Sequence, residues 1–173
     1  MQNHAREATR HLLENGDALP DVRLPSVSGS TVSLRDAVAG AWSVVLFYRG
    51  DWCPFCNAQL AAFERMLPQF EQLGVHIIAI SADSVDEARR TVDRNHITFP
   101  VLYGADPGTI AATFGTHVAT DEHGTYINSS GFIVDPNGSI VLAVYSSGAI
   151  GRIVAEDSLG MIKYLQTRSS GRG

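Results

Sequence analysis

Two segments restrict the fold of this chain more than anything else in it: WSVVLFY at residues 42–48 and VHIIAIS at residues 75–81. Each is an almost unbroken apolar run rich in β-branched residues, the pattern of a strand covered on both faces of a sheet. Between them Leu60, Phe63, Leu67, Phe70 and Leu73 recur every three or four residues. Together with Pro54, suited to a first helical turn, this spacing predicts a helix from about Pro54 to Leu73, kinked at Pro68. The chain thus alternates strand and helix. SVDE at Ser84–Glu87 is a capping box that opens a helix to about Asn95, and a short strand follows at Val101–Tyr103. Asp106 and Pro107 start a helix through Ile110, Ala111 and Phe114 that Gly115 stops. Strands at Gly131–Asp135 and Ser139–Tyr145 are joined by the hairpin signal PNG, and Ile153–Thr167 closes the chain as a helix.

Ahead of this core, Ala5, Ala8, Leu12 and Leu13 give Asn3–Asn15 a helical periodicity that Gly16 ends. Val22–Leu24 and Thr31–Ser33 flank PSVSGS as a hairpin-like pair, and Leu34–Ala39 reads as a brief helical turn. The order from residue 42 onward is β-α-β-α-β-α-β-β-α, which predicts an α/β sandwich: a mixed sheet with helices on both faces. The domain reading is an N-terminal helical extension over 1–16, one domain over 17–168 and a frayed SSGRG tail over 169–173. A length of 173 residues, 45% of them hydrophobic, suits a single well-buried core. A net charge of −5 without any run of five like charges argues against a general nucleic-acid binder and leaves no polybasic membrane patch. Residues 1–19 carry Arg6, Glu7, Arg10 and Glu14 where a secretory segment would be apolar, and no stretch reaches the ~18 apolar residues of a spanning helix. The expectation is a cytoplasmic protein, where a close cysteine pair points to redox or metal chemistry rather than a structural staple.

Both cysteines stand in RGDWCPFCNAQL, residues 49–60, where the first buried strand turns into the helix. Cys53 falls near the N-cap and Cys56 in the first turn, where unpaired N–H groups and the helix dipole favour a thiolate. Their spacing also brings the sulfurs within disulfide range, so one thiol can attack a substrate and the other resolve the product. Arg49 adds a positive charge that would stabilise a thiolate or a developing negative oxygen. Asp51 is expected to cap the helix or pair with Arg49. Trp52 would shield the pair, dock a partner or simply pack, and Tyr48 continues the core strand, where packing is the default role and a hydroxyl reaching the site the alternative. Other readings weaken on inspection. There is no second Cys pair for zinc, His117 and His123 match a ligand spacing only loosely, and Asn57 stands where covalent haem attachment would need histidine. For both histidines a surface position is the expectation. Two incidentally buried cysteines would leave Trp52, Pro54 and the strand-to-helix setting unexplained.

LFYRGDWCPFCNAQL, together with ISADSVDEARR, FPVLYGAD and GFIVDPNGSIVLA, resembles the peroxiredoxin-like branch of the alkyl hydroperoxide reductase/thiol-specific antioxidant family, over roughly Asp17–Leu165. The resemblance implies a thioredoxin-like, peroxiredoxin-type three-layer sandwich. It also implies a thiol peroxidase whose sulfenic acid is resolved by a second thiol and recycled by a dithiol reductant such as a thioredoxin-type protein. It brings no cofactor and no metal, and leaves a homodimer open as the assembly. The family's Pro, Thr/Ser and peroxidatic Cys fall on Arg49, Cys53 and Cys56, so only Cys56 matches. The family arginine falls on Ser129, three residues before Phe132, leaving Arg49 or Arg152 as substitutes. A thioredoxin WC-x-x-C frame instead makes Cys53 the nucleophile and Cys56 the resolving thiol. That frame lacks its cis-proline, since Ser130 and Gly131 stand there, and Phe47 occupies the place of its buried acid. Pro100 follows the peroxiredoxin pattern. We favour Cys53 as nucleophile for its place at the cap, with a Cys53–Cys56 redox disulfide in either frame. The expected activity is hydroperoxide reduction. The alternatives are protein disulfide reduction and a non-catalytic redox-sensing or binding module.

Overall fold

The computed structural model describes residues 11–171. In chain order its elements are β1 (Arg23–Pro25), β2 (Thr31–Ser33), α1 (Leu34–Val38), β3 (Ser43–Phe47), α2 (Pro54–Arg65), α3 (Leu67–Gln72), β4 (His76–Ile80) and α4 (Val85–Asn95). Then come β5 (Val101–Leu102), α5 (Pro107–Phe114), β6 (Val118–Asp121), β7 (Gly124–Ile127), β8 (Ser130–Val134), β9 (Ile140–Tyr145) and α6 (Ala155–Ser170). The main sheet runs β5-β4-β3-β8-β9. β3 pairs parallel with β4, and β4 with β5, while β3–β8 and β8–β9 are antiparallel.

The central position of β3 explains its unbroken apolar sequence, because alternate residues enter two separate cores. Val44, Leu46 and Tyr48 pack with Cys56, Leu60 and Phe63 of α2, Ala88 of α4, and Leu159 and Ile162 of α6. Val45 and Phe47 pack on the other face with Leu34 and Val38 of α1 and with Ile110 and Phe114 of α5. These are the three layers that the sequence predicts. Phe47 anchors the second core, its ring edge-on to Phe114 at 5.0 Å and to Phe132 at 6.1 Å. Phe47→Ala is therefore expected to cost about 3–5 kcal/mol. A urea-unfolding midpoint unchanged by the substitution would contradict this packing.

Four local features differ from the sequence reading. The long helix is interrupted rather than kinked: α2 ends at Arg65, Met66 takes φ −95° and ψ 0°, and α3 begins at Leu67. Pro68 has no N–H to continue the ladder and its ring would meet the carbonyl of residue 64. Residues 118–127, to which the sequence reading assigns no element, form the β6–β7 hairpin, with Gly124 at φ +88°. Of the expected N-terminal helix, residues 3–10 lie outside the described residues, and residues 11–14 are irregular chain. There tertiary docking replaces helical hydrogen bonds: Leu13 is buried and its N–H donates to the Tyr145 hydroxyl at 3.0 Å. The segment crosses Gly115 so closely that a Cβ there would lie 2.4 Å from the His11 carbonyl oxygen. Finally, α6 continues through Ser170, so the first two residues of the expected tail are helical.

Candidate active site

The turn after β3 delivers both cysteines to the start of α2. Cys53 is the N-cap, with φ −85° and ψ 111°, and its sulfur accepts the Cys56 N–H at 3.3 Å, the role a serine hydroxyl fills in an ordinary cap. Pro54 occupies the first turn, where its missing N–H costs nothing. One turn brings the Cys56 sulfur within 2.6 Å of the Cys53 sulfur, the Cys56 thiol donating to it. Both are free thiols and both side chains are fully buried. Cys53 is thus no more exposed than Cys56, although it stands nearer the helix tip.

Each sulfur has its own cation. Arg49 points Nη1 at Cys53 Sγ from 3.9 Å and donates its backbone N–H to Cys56 Sγ at 3.4 Å. Arg152, brought in from the loop before α6, donates Nη1 to Cys56 Sγ at 3.1 Å and Nη2 to the Ala149 carbonyl. Ser129, where the resemblance puts the family arginine, places Oγ 3.9 Å from Cys56 Sγ. Cys53 is lowered to about 5, first by the hydrogen bond from the Cys56 thiol, then by the Cys56 N–H, Arg152 and Arg49, all acting against burial. Cys56 is raised, chiefly because it is the donor in that pair and because it is buried. The two sulfurs therefore hold one negative charge and one proton between them near neutral pH, with the charge on Cys53.

The supporting residues divide between two neighbours of the turn. Arg49 lies against the rings of Trp52 and Tyr126, 4.9 and 5.0 Å from their centroids, while the two rings meet edge to face at 4.9 Å, and it donates Nη2 to the Tyr126 hydroxyl at 2.9 Å. That hydroxyl donates to Asp121 at 2.7 Å, so the β6–β7 hairpin orients the arginine. Trp52 packs against the same hairpin, its ring stacked on His123 at 3.9 Å with an interplanar angle of 3°. His123 is exposed, as expected, but is tied to the site through this stack. Asp51 neither caps α2 nor pairs with Arg49. It turns toward α4, where Arg90 donates to its carboxylate at 2.7 Å and Arg94 to its carbonyl at 2.8 Å. The cap position is already filled by Cys53, and two α4 arginines lie on the side to which Asp51 points. Asn57, linked to the Asp51 carbonyl and to Asn95, completes this latch between α2 and α4. Tyr48 is wholly buried beneath α2.

Tyr126 and Asp121 escaped the sequence reading. Alternation of Val118, Thr120, Thr125 and Ile127 around a central glycine was the available signal for the hairpin. Among the described residues no group of three or more His, Cys, Asp or Glu side chains can hold a metal ion. No described helix is long and apolar enough to cross a membrane.

A mixed five-stranded sheet with helices on both faces, and a Cys-x-x-Cys opening the helix after its central strand, defines a thioredoxin-like α/β fold. Within that class the model of the AhpC/TSA family matches residues 15–143. A peroxiredoxin of Treponema denticola is 32% identical over 158 residues, covering 88% of this chain and 73% of its own. One from Thermotoga maritima is 30% identical, covering 88% and 71%. Among solved structures, Enterococcus faecalis AhpC superposes with a TM-score of 0.76 at 25% identity, over 92% of this chain and 96% of its own. Mycobacterium tuberculosis peroxidoxin BcpB gives 0.74 at 20% identity, over 88% and 98%. The chain belongs to the AhpC/TSA family. It is a peroxiredoxin-like, thiol-dependent oxidoreductase.

Proposed function

We propose that this protein reduces hydroperoxides through a Cys53/Cys56 dithiol–disulfide cycle. The Cys53 thiolate attacks the terminal peroxide oxygen, the O–O bond breaks, and the alcohol or water leaves with a proton. Cys56 then attacks the sulfenic sulfur of Cys53, forming the disulfide and releasing water, and an external dithiol returns the pair to its thiols. The observation that carries this reading is the pair itself: two sulfurs 2.6 Å apart, hydrogen-bonded to one another, each facing an arginine. Arg49 stands where it can also stabilise the negative charge that develops on the departing oxygen.

The WC-x-x-C sequence also suits a protein disulfide reductase. Full burial of both sulfurs favours the peroxide, a small substrate, over a disulfide carried on another protein. The electron donor in this proposal is a thioredoxin-type dithiol protein, with a cytoplasmic setting supplying it. A homodimer is the proposed assembly. Intact-mass measurement tests the cycle. One equivalent of hydrogen peroxide is expected to remove a pair of hydrogens within seconds and to block both cysteines from alkylation until dithiothreitol is added. Thiols that remain alkylatable after peroxide treatment would instead mark a non-catalytic module.

A further inference from the structure

The guanidinium that faces Cys53 is held from a hairpin that the cycle above leaves unused. Arg49 Nη1 lies 3.9 Å from Cys53 Sγ, and Nη2 donates to the Tyr126 hydroxyl at 2.9 Å. That hydroxyl has a single proton, which Asp121 Oδ2 accepts at 2.7 Å, so toward Arg49 the phenol oxygen acts only as an acceptor. The hairpin register builds this chain of contacts. Tyr126 stands opposite Ala119 and Asp121 opposite Gly124, which puts Asp121 and Tyr126 on one face as diagonal neighbours. With no side chain on Gly124, nothing opposite Asp121 blocks the reach of its carboxylate to the phenol. Asp121 Oδ1 accepts the His123 N–H at 2.8 Å and is fixed in the turn, while on the other face Thr120 and Thr125 join their hydroxyls at 2.9 Å. Tyr126 is buried and Asp121 is exposed.

Among the described residues Arg49 enters no ion pair, although the Asp121 carboxylate is only one hydroxyl away. Asp121 is held below the usual carboxylate range by the His123 N–H and then the Tyr126 hydroxyl, so it carries its full charge near neutral pH. A carboxylate in direct contact would cancel much of the guanidinium's field at the sulfur, whereas a neutral hydroxyl orients the guanidinium and leaves its charge intact.

We propose that Tyr126 is a positioning residue for the thiol chemistry, its hydroxyl both aiming the Arg49 guanidinium at Cys53 and keeping it out of an ion pair with Asp121. The proposal rests on Cys53 as the reacting thiol and deepens that reading, since Tyr126 acts through Arg49 rather than on the sulfur. Asp121 then has two opposite effects. With the phenol oxygen present it anchors the hydroxyl and so supports the guanidinium. With that oxygen removed it is an unshielded anion that draws Arg49 away from Cys53. Asn at this position removes the charge and can keep only one of the two acceptor contacts, because an NH2 replaces one oxygen.

Cys53 is read in two ways: by the pH midpoint of its thiolate absorbance, which involves no peroxide, and by the rate of the stoichiometric peroxide reaction. Tyr126→Phe keeps the ring and removes the oxygen. It is expected to raise the midpoint and to slow the reaction about tenfold near neutral pH, the loss of one hydrogen bond to a charged group. Asp121→Asn alone is expected to slow the reaction about threefold. Added to Tyr126→Phe, the same substitution is expected to reverse its sign, lowering the midpoint and speeding the reaction about threefold, because the competing anion is gone. In an Arg49→Met background Tyr126→Phe should change the rate by less than about twofold, whereas a merely structural tyrosine would slow both backgrounds alike. Should Tyr126→Phe fail to fold, Asp121→Asn carries the test, since its slowing must vanish when Arg49 is absent. A folded Tyr126→Phe with an unmoved midpoint and a rate within about twofold of the parent would overturn the proposal. So would equal slowing in the Arg49→Met background, or failure of Asp121→Asn to speed Tyr126→Phe. Should the protein prove inert toward peroxide, the midpoints alone decide the role of Tyr126, and only the peroxide reading falls.

Discussion

Cys56→Ser halts the cycle after its first step. The variant is expected to consume one equivalent of peroxide, accumulate a Cys53 sulfenic acid that dimedone traps, and lose steady-state turnover by on the order of 10³-fold. Cys53→Ser is expected to abolish the rapid reaction itself. The reason lies in the sharing of charge: Cys53 carries the thiolate, lowered to about 5, while Cys56 holds the proton. Serine at 56 keeps an O–H donor near that thiolate, so attack survives where resolution cannot. The reverse pattern, rapid reaction surviving only in Cys53→Ser, would assign attack to Cys56, the cysteine that aligns with the family's peroxidatic position. Stopped-flow peroxide consumption with dimedone trapping distinguishes the two.

Arg49→Met is expected to lower the rate of the stoichiometric peroxide reaction about 10- to 100-fold at pH 7, the usual range for removing one positioned charge from a developing oxyanion. It should also move the acid limb of the pH–rate profile upward. The sign follows from the favoured charge state: without the guanidinium the Cys53 thiolate loses one of the groups holding it down, so more of it is protonated at a given pH. The displacement is partial, because the Cys56 hydrogen bond is the leading cause and Arg152 remains. Arg49→Lys separates charge from geometry. It should restore much of the ionisation but not the bond to Tyr126 or the guanidinium's packing against the Trp52 and Tyr126 rings. An unshifted acid limb and an unchanged rate in Arg49→Met would remove Arg49 from the site.

Much of the architecture was written locally. β3 and β4 announce themselves by continuous apolar runs, α4 by a capping box that forms as spelled, and α5 by Asp106, Pro107 and Gly115 at its ends. Cys53 and Cys56 were legible for the same reason, since a strand-to-helix turn with proline after the first cysteine fixes both positions. What escaped depends on contacts across the fold. Tyr126 meets Arg49 from 77 residues away, and nothing near it declares its target, while Arg152, offered by the resemblance as one substitute for the family arginine, meets Cys56 from 96 residues away. Asp51 chose Arg90 over its near neighbour Arg49 because α4 packs beside the turn. The β6–β7 hairpin is mostly exposed, so it lacks the apolar density that marks a core strand.

The closeness of the two sulfurs within one turn of α2 has a consequence for recognition. On the proposed cycle, closing the bridge asks only for small side-chain torsions, while the polar latch of Asp51, Asn57 and Asn95 holds the surrounding backbone to α4. Oxidised and reduced molecules would then wear nearly the same outer face. A recycling protein would have to tell them apart by testing the bridge chemically, since no rearranged landing surface would advertise it.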